Sequence, residues 1–284
     1  MSPALPEAVH RRLRPLVGPE SLHDRPHGFT QFGVIASRAL EHLRPPVPRR
    51  LIARPPEISV VGVYRRRNAD VLARLLEGVP PDRVHLWALD EAAPALAPMT
   101  AGTGPGTRFV LLNRLAPRCP PGWLVIADDD VELDGANLPA VAALARAAHL
   151  DVAQPAHARD SHLSWSVTRR RLTTIARRTR FVEQGPLMVL GPHGRAELLP
   201  FPEDRGMGWG VEAVWARIDH LRFGVLDAAA MRHVTPVQPS GNYDVAAEWA
   251  QAERLLAVNG FASFAEVQVE LDRWPLWRPA APWG

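Results

Sequence analysis

Gly122-Trp123-Leu124-Val125-Ile126-Ala127-Asp128-Asp129-Asp130-Val131-Glu132-Leu133 is a continuous apolar run that stops abruptly in three carboxylates. The apolar part is expected to be a strand buried on both faces, the usual state of a parallel sheet between helical layers. The carboxylates then fall at the strand's C-terminal edge, where open α/β sheets place their ligands. Side chains alternate with a period of two, so Asp128 and Asp130 face one way and Asp129 the other. Two oxygen donors on one side suit a hard divalent cation that also holds a phosphate. An acidic turn after a core strand would look the same in isolation, so the flanking sequence has to discriminate.

Upstream, Ile58 to Tyr64 has the β-branched composition of a strand. Asn68 is placed to cap a helix from Ala69 to Gly78, with Val71, Leu72, Leu75 and Leu76 at helical spacing. A second strand is expected from Arg83 to Leu89, ending at Asp90. A Gly/Pro/Thr loop over Thr100 to Thr107 and a third strand over Arg108 to Leu112 follow. Trp123 to Ala127 is the fourth strand, followed by a helix over Leu138 to His149 and a short strand at Val152-Ala153. This alternation predicts an α/β fold with a Rossmann-like, mostly parallel central sheet flanked by helices and right-handed crossovers. The second half is mixed. Phe181 to Leu190 and Phe223 to Leu226 read as strands, and Arg205 to Gly210 as a loop. Val211 to Leu221, Ala246 to Val258 and Ser263 to Leu271 read as helices. Residues 1–56 form a Pro/Arg-rich N-terminal extension in which Pro45-Pro46 and Pro55-Pro56 allow only a short helix over Val34 to Leu43. The domain is expected over 57–284, with a nucleotide-binding half at 57–135 and an acceptor half with C-terminal helices at 136–284.

Composition narrows the function classes. Of 284 residues, 46% are hydrophobic, enough for a substantial core. All basic charge is arginine, the net charge is +3 and the pI is near 9.9, a balance suited to anionic small molecules or peripheral contact with a membrane surface. Without lysine there can be no P-loop lysine, and Tyr64-Arg65-Arg66 offers no phosphatase nucleophile. One cysteine, Cys119, excludes an intramolecular disulfide and favours a reducing compartment. Met1 to Leu16 lacks the apolar region of a secretory signal, and no apolar run reaches the roughly 20 residues of a membrane span. A cytoplasmic protein is therefore expected. The arginines at 169–171, 177, 178 and 180 could be a solvated face or an anion-binding one. No aromatic residues interleave them as in a stacking platform, so nucleic acid is not expected as a partner.

Five segments in order give the chain a family likeness. They are Val63-Tyr64-Arg65-Arg66-Arg67-Asn68, Leu112-Asn113-Arg114-Leu115, Asp128-Asp129-Asp130, Gly208-Trp209-Gly210-Val211-Glu212 and Met231-Arg232-His233. Together the chain resembles the GT-A fold glycosyltransferases, which use nucleotide-sugars and a divalent metal. The third segment is similar to their DxD motif, the fourth to the GWG-plus-acid segment of inverting galactosyltransferase-like enzymes. Asp128 to Tyr243 also resembles a family of uncharacterised proteins with the same DDD, GWG and late His pattern. The GWG segment departs from the galactosyltransferases in carrying the single acid Glu212 between Val211 and Ala213.

The resemblance implies a metal-dependent hexosyltransferase-like enzyme that moves a sugar from a nucleoside-diphosphate sugar, with a UDP-sugar expected first, to a carbohydrate or other hydroxyl acceptor. Asp128, Asp130 and His233 would hold Mn²⁺ (or Mg²⁺); an imidazole donor favours Mn²⁺. Tyr64, Arg65, Arg67, Asp90, Asn113, Arg114 and Asp129 would surround the nucleotide, where guanidinium groups match a diphosphate. Glu212 would be the base of an inverting transfer, with Glu183, Glu203 and Asp204 as rivals. Trp209, Glu183 and His162 would meet the acceptor, the Trp by stacking on a sugar face. The residues alone also allow a nucleotidyltransferase acting on a sugar phosphate, or a non-catalytic nucleotide-sugar-binding protein. Each motif residue has a structural alternative: Glu212 as a helix N-terminal carboxylate, Trp209 as a loop plug, His233 as a hydrogen-bonded histidine at a strand end.

Overall fold

The computed structural model describes residues 47, 49–159, 161, 165–204, 206, 208–234 and 244–283. The expected helix over Val34 to Leu43, His162 and Tyr243 lie outside them. One ten-stranded sheet runs through the molecule. In chain order its strands are β1 (Ile58–Tyr64), β2 (Val84–Ala88), β3 (Thr100–Thr103), β4 (Trp123–Ala127), β5 (Val131–Asp134), β6 (Val152–His157), β7 (Thr174–Thr179), β8 (Leu187–Leu190), β9 (Phe223–His233) and β10 (Glu270–Pro275). The spatial order is β10-β7-β9-β6-β8-β4-β1-β2-β3, with β5 pairing β9 off this path. β1 to β4 are mutually parallel, as the alternation of strands and helices predicts. Beyond β4 the sheet is mixed: β8 is antiparallel to β4 and β6, while β6 and β9 are parallel.

Eight helices flank the sheet among the described residues: α1 (Arg49–Ile52), α2 (Ala69–Leu75), α3 (Arg108–Leu115), α4 (Leu138–Ala147), α5 (Pro192–Leu198), α6 (Val211–Trp215), α7 (Val245–Val258) and α8 (Phe264–Val267). Val60 and Val125 join a core with Leu72 and Val141 on the face covered by α2 and α4. Their neighbours Val61, Leu124 and Ile126 pack on the other face with Phe109, Leu112 and Trp215 of α3 and α6. This alternation explains why β1 and β4 are almost continuously apolar, Ser59 being the polar exception: each successive residue serves a different layer. Each such side chain contributes roughly 1.5–3 kcal/mol on burial. A third cluster gathers Trp165, Phe181, Trp249 and Phe264 beneath α7. No helix among the described residues is long and apolar enough to cross a membrane.

Several expected elements differ. The third strand is not Arg108 to Leu112, which lies in α3; it is Thr100–Thr103 within the expected loop. The run Phe109-Val110-Leu111-Leu112 is too short for its period to separate helix from strand, whereas Thr107 just before it is a helix-start signal. Phe181 to Pro186 is not strand; pairing begins at Leu187. β9 extends to His233, with a bulge where Pro155 pairs Leu226 but Ala156 pairs Ala230. The helix expected to reach Leu271 stops at Val267, and the chain turns into β10 against β7. β7 itself was hidden among the arginines. Arg177 is fully buried and paired with Asp227, and Arg170 also bonds the Asp227 carbonyl, so this run is woven into the sheet instead of forming a solvated face.

Candidate active site

The register of β5 against β9 builds the centre of the site. Val131 pairs His233, and the Val234 N–H bonds the Asp130 carbonyl at 2.9 Å. This brings the Asp130 side chain to His233 Nε2, at 3.1 Å, from more than a hundred residues away. The His233 N–H in turn donates to Ser161 Oγ at 2.9 Å. Burial opposes a charged imidazole, but the hydrogen bond and charge of Asp130, with Asp128 and Glu183 beyond, raise the His233 pKa.

Asp128 leaves β4 on the same edge, its N–H bonded to the Pro186 carbonyl at 2.8 Å. Its Oδ1 accepts from Arg108 Nε at 2.9 Å, and Arg108 Nη1 also reaches Gln184 Oε1 at 2.6 Å. Burial raises the Asp128 pKa against the pull of Arg108, and Asp130 adds to the rise. Asp128 is thus held by Arg108 beside the Asp130–His233 pair. Its other oxygen faces Gly185, where a Cβ would come within 2.9 Å of Oδ2. Asp129 stands in the turn between β4 and β5, not in a strand, and its carboxylate makes a different contact. It accepts the Arg65 N–H at 2.6 Å, which ties the turn after β1 to the end of β4. Burial pushes its pKa up to about 6 against that bond and one from Asn68.

Asp130 and His233 are in contact and Asp128 stands near them, but the ligand atoms of the three do not all come within 4.8 Å of one another as they stand. Two carboxylates and an imidazole are nonetheless a donor set suited to a divalent cation bound by oxygen and nitrogen.

Around this centre, Asp90 is exposed and accepts the Arg66 N–H at 2.9 Å. Desolvation works to raise the Asp90 pKa, but the N–H groups of Arg66 and Glu91 and the charge of Arg65 together outweigh it and lower the value. Arg67 is exposed next to this turn. Tyr64 is fully buried; its hydroxyl pairs with Thr100 Oγ1 at 2.8 Å and accepts the Ala93 N–H. Asn113 lies on α3 and clamps Phe201 through both ends of its amide, at 2.8 Å each. Arg114 is exposed, with its guanidinium 5.8 Å from the centre of the Trp87 ring. The structure therefore gathers Arg65, Asp90, Asp128, Asp129, Asp130 and His233 along one edge, whereas Asn113 and Arg114 project from a helix.

Glu212 begins α6 and is buried. Its oxygens accept the Gly210 N–H at 3.1 Å and the Gln184 N–H at 3.4 Å. Burial pushes its pKa up to about 7, with Glu183 adding to the rise. Glu183, in the loop before β8, accepts from His157 Nε2 at 3.1 Å if that nitrogen carries the proton, and its N–H bonds Gln154. Trp209 lies half-buried with its ring edge-on to Trp249, centroids 6.0 Å apart. Gly208 and Gly210 on either side have φ of +80° and +90°, which only glycine adopts freely.

Three participants escaped the sequence reading: Arg108, Gln184 and His157. Arg108 was assigned to a strand; the helix start at Thr107 was the available signal.

No family model matches the sequence, and comparison with curated proteins finds no match. Solved structures do match. A mannosyltransferase from Pyrobaculum calidifontis, in complex with GDP-Man and Mn²⁺, superposes with a TM-score of 0.54 at 14% identity, covering 83% of this chain and 75% of that one. GalNAc-T7 with UDP, GalNAc and Mn²⁺ gives 0.52 at 12% identity, covering 94% and 59%. S. aureus TarS 1–349 with UDP-GlcNAc gives 0.51 at 13% identity, covering 75% and 69%. The fold is that of the GT-A glycosyltransferases. The edge after β4, where Asp128 to Asp130 stand, lies past the C-terminal ends of the parallel strands, the side on which open α/β sheets place their ligands.

Proposed function

We propose that this protein is a metal-dependent glycosyltransferase that moves a sugar from a nucleoside-diphosphate sugar to a hydroxyl acceptor with inversion. The observation that carries this is the Asp130–His233 pair beside Asp128, at the ligand edge of a GT-A sheet. Asp130 and His233 would hold Mn²⁺, with Asp128 a ligand directly or through water. Held by these residues, a divalent cation would supply Lewis-acid neutralisation of the charge on a departing diphosphate. Arg108 fixes Asp128 and neutralises part of the carboxylate charge. Arg65, Arg67 and Asp90 line the turn where a nucleotide would lie, with Asp129 bracing it.

Glu212 would take the acceptor proton. A carboxylate with a pKa of about 7 is half-deprotonated near neutral pH, where proton transfer is most effective. The N–H groups of Gly210 and Gln184 orient it. Glu183 has the specific observation of a bonded histidine in its favour, so it is the second candidate. Trp209 offers the part of its ring not covered by Trp249 to an acceptor.

Calorimetry with UDP and with GDP, each with and without Mn²⁺, tests the metal site. Binding of one of them is expected to require Mn²⁺ and to be lost in the Asp128→Ala, Asp130→Ala double variant. Binding that ignores the metal, or survives the double variant, removes the assignment. With a donor that binds, turnover should release nucleoside diphosphate; pyrophosphate release would mark a nucleotidyltransferase instead. Glu212→Gln should keep donor binding and lose roughly 10²–10⁴-fold in turnover. If Glu183→Gln alone does so, the base is Glu183.

A further inference from the structure

We propose that His193, Glu197 and His220 form a second metal site, suited to Zn²⁺ and placed on the sheet edge opposite Asp128 to Asp130. β8 runs antiparallel to β4, pairing Leu190 with Leu124 and Leu187 with Ala127. The chain beyond Leu190 therefore emerges at the end of the sheet where β4 begins. β6 and β9 begin at the same end, since Val152 pairs both Leu190 and Phe223. Glycosyl transfer at the other edge does not use this region, so the inference stands apart from that reading.

Among the described residues, these three are the one group of His, Cys, Asp or Glu whose ligand atoms all lie within 4.8 Å of one another. His193 and Glu197 are four residues apart on α5 and so share a face. His220 Nε2 approaches Glu197 Oε2 at 3.5 Å from the segment before β9. Ligand atoms around a tetrahedral Zn²⁺ stand about 3.4 Å apart, given metal–ligand distances near 2.1 Å. One pair already has that spacing. Rotation of three exposed side chains closes the remainder. Two imidazoles and a carboxylate make a donor set for Zn²⁺, or for Co²⁺ and Ni²⁺ as surrogates, more than for the harder Mn²⁺.

A further contact has the form that metal-bound histidines require. Asp151 Oδ1 stands 3.5 Å from His193 Nδ1 and would fix the tautomer that leaves Nε2 for the cation. Asp151 is itself anchored. Its N–H bonds the Arg222 carbonyl at 2.9 Å, its carbonyl accepts from Gly191 at 2.8 Å, and its Oδ2 accepts the Arg222 N–H at 2.9 Å. One residue thus knits the backbones that carry all three ligands. α5 also packs so closely that a Cβ on Gly194 would fall 2.3 Å from the Asp151 carbonyl oxygen. Three protein ligands leave a fourth position for water, and the bound ion would cross-link α5 to the start of β9.

The test uses the full chain carrying Asp128→Ala and Asp130→Ala, stripped with a chelator and titrated with Zn²⁺ alone. One equivalent of Zn²⁺ is expected, with a rise in Tm. Adding His193→Ala and His220→Ala should abolish both. Circular dichroism of the metal-free forms checks that folding is unchanged, which exposed positions permit. Asp151→Asn should weaken Zn²⁺ binding by about 10–100-fold. Absence of a Zn²⁺ equivalent in the parent, or its persistence after loss of both histidines, overturns the proposal and leaves only surface ion pairs.

Discussion

Two charge clusters are built into the same sheet, and they differ in how they are balanced. Under β7 and β9, Arg177 and Asp227 are fully buried and answer each other. Asp227 Oδ2 accepts from Arg177 Nε at 2.8 Å and from Thr174, and its Oδ1 accepts the Arg171 N–H. Arg177 also donates to Asp227 Oδ1 and to the carbonyls of Val167 and Arg169, with Glu270 Oε2 3.5 Å from its Nη1. Past β4, Asp128, Asp129 and Asp130 crowd together, and burial together with mutual repulsion raises the pKa of Asp128 and Asp129. There the Arg108 guanidinium also has one buried nitrogen, Nη2, without a hydrogen-bond partner. A balanced cluster is complete as folded. An acid-rich one is stabilised when a cation arrives, and that asymmetry is the physical mark separating the scaffold from the site.

The sharpest way to break this contrast is to remove one cation from the balanced cluster. Arg177→Met strands Asp227 in the interior and is expected to cost roughly 3–5 kcal/mol in urea unfolding. Asp128→Asn should leave the urea midpoint unchanged or raise it, since burial and Asp130 already disfavour the Asp128 charge and the amide oxygen can still accept from Arg108. If both variants destabilise alike, the two clusters do not differ in kind.

The second probe is Glu212, whose pKa of about 7 lies above its ordinary 4.5 because of burial. A carboxyl with a raised folded pKa contributes its full stability below 4.5 and loses it as pH rises through 7. The difference corresponds to about 3 kcal/mol. Glu212→Gln is neutral throughout. Its stability relative to the wild type should therefore move in its favour by about 3 kcal/mol between roughly pH 4 and pH 8. A constant difference would show that Glu212 is not held neutral by the fold.

How legible all this was in the sequence depended on distance along the chain. β1 and β4 could be read because parallel strands buried on both faces are nearly continuous apolar runs, with Ser59 the one polar residue of the two. The acidic edge of β4 followed from the same run. β3 and α3 were exchanged because Thr100–Thr103 carries little apolar signal and Phe109 to Leu112 is too short to show a period. β7 stayed hidden because Arg177 looks solvated until Asp227, fifty residues later, is known to meet it. Asp130 and His233 were paired through family likeness alone. Their contact is a consequence of β5–β9 register, which no local pattern encodes. Arg108 was missed because a wrongly assigned strand would have pointed it elsewhere.

The finest comparison is between two glycines, one beside each cluster. A Cβ on Gly224 would lie 2.5 Å from the Arg177 carbonyl oxygen and 2.6 Å from Leu150. Backbone cannot yield there, so Gly224→Ala should lower stability by roughly 1–3 kcal/mol through overpacking. At Gly185 the nearest atom is Asp128 Oδ2, at 2.9 Å. The end of a side chain can swing away, so the fold should tolerate Gly185→Ala with little change in Tm. The carboxylate it displaces is the one placed beside the Asp130–His233 pair. Mn²⁺-dependent nucleotide binding should therefore weaken by about tenfold, near 1.4 kcal/mol, while stability holds. Calorimetry and thermal unfolding on the same preparation separate the two effects. Full affinity in Gly185→Ala would mean that the position of Asp128 is immaterial to the metal, leaving Asp130 and His233 as its only protein ligands.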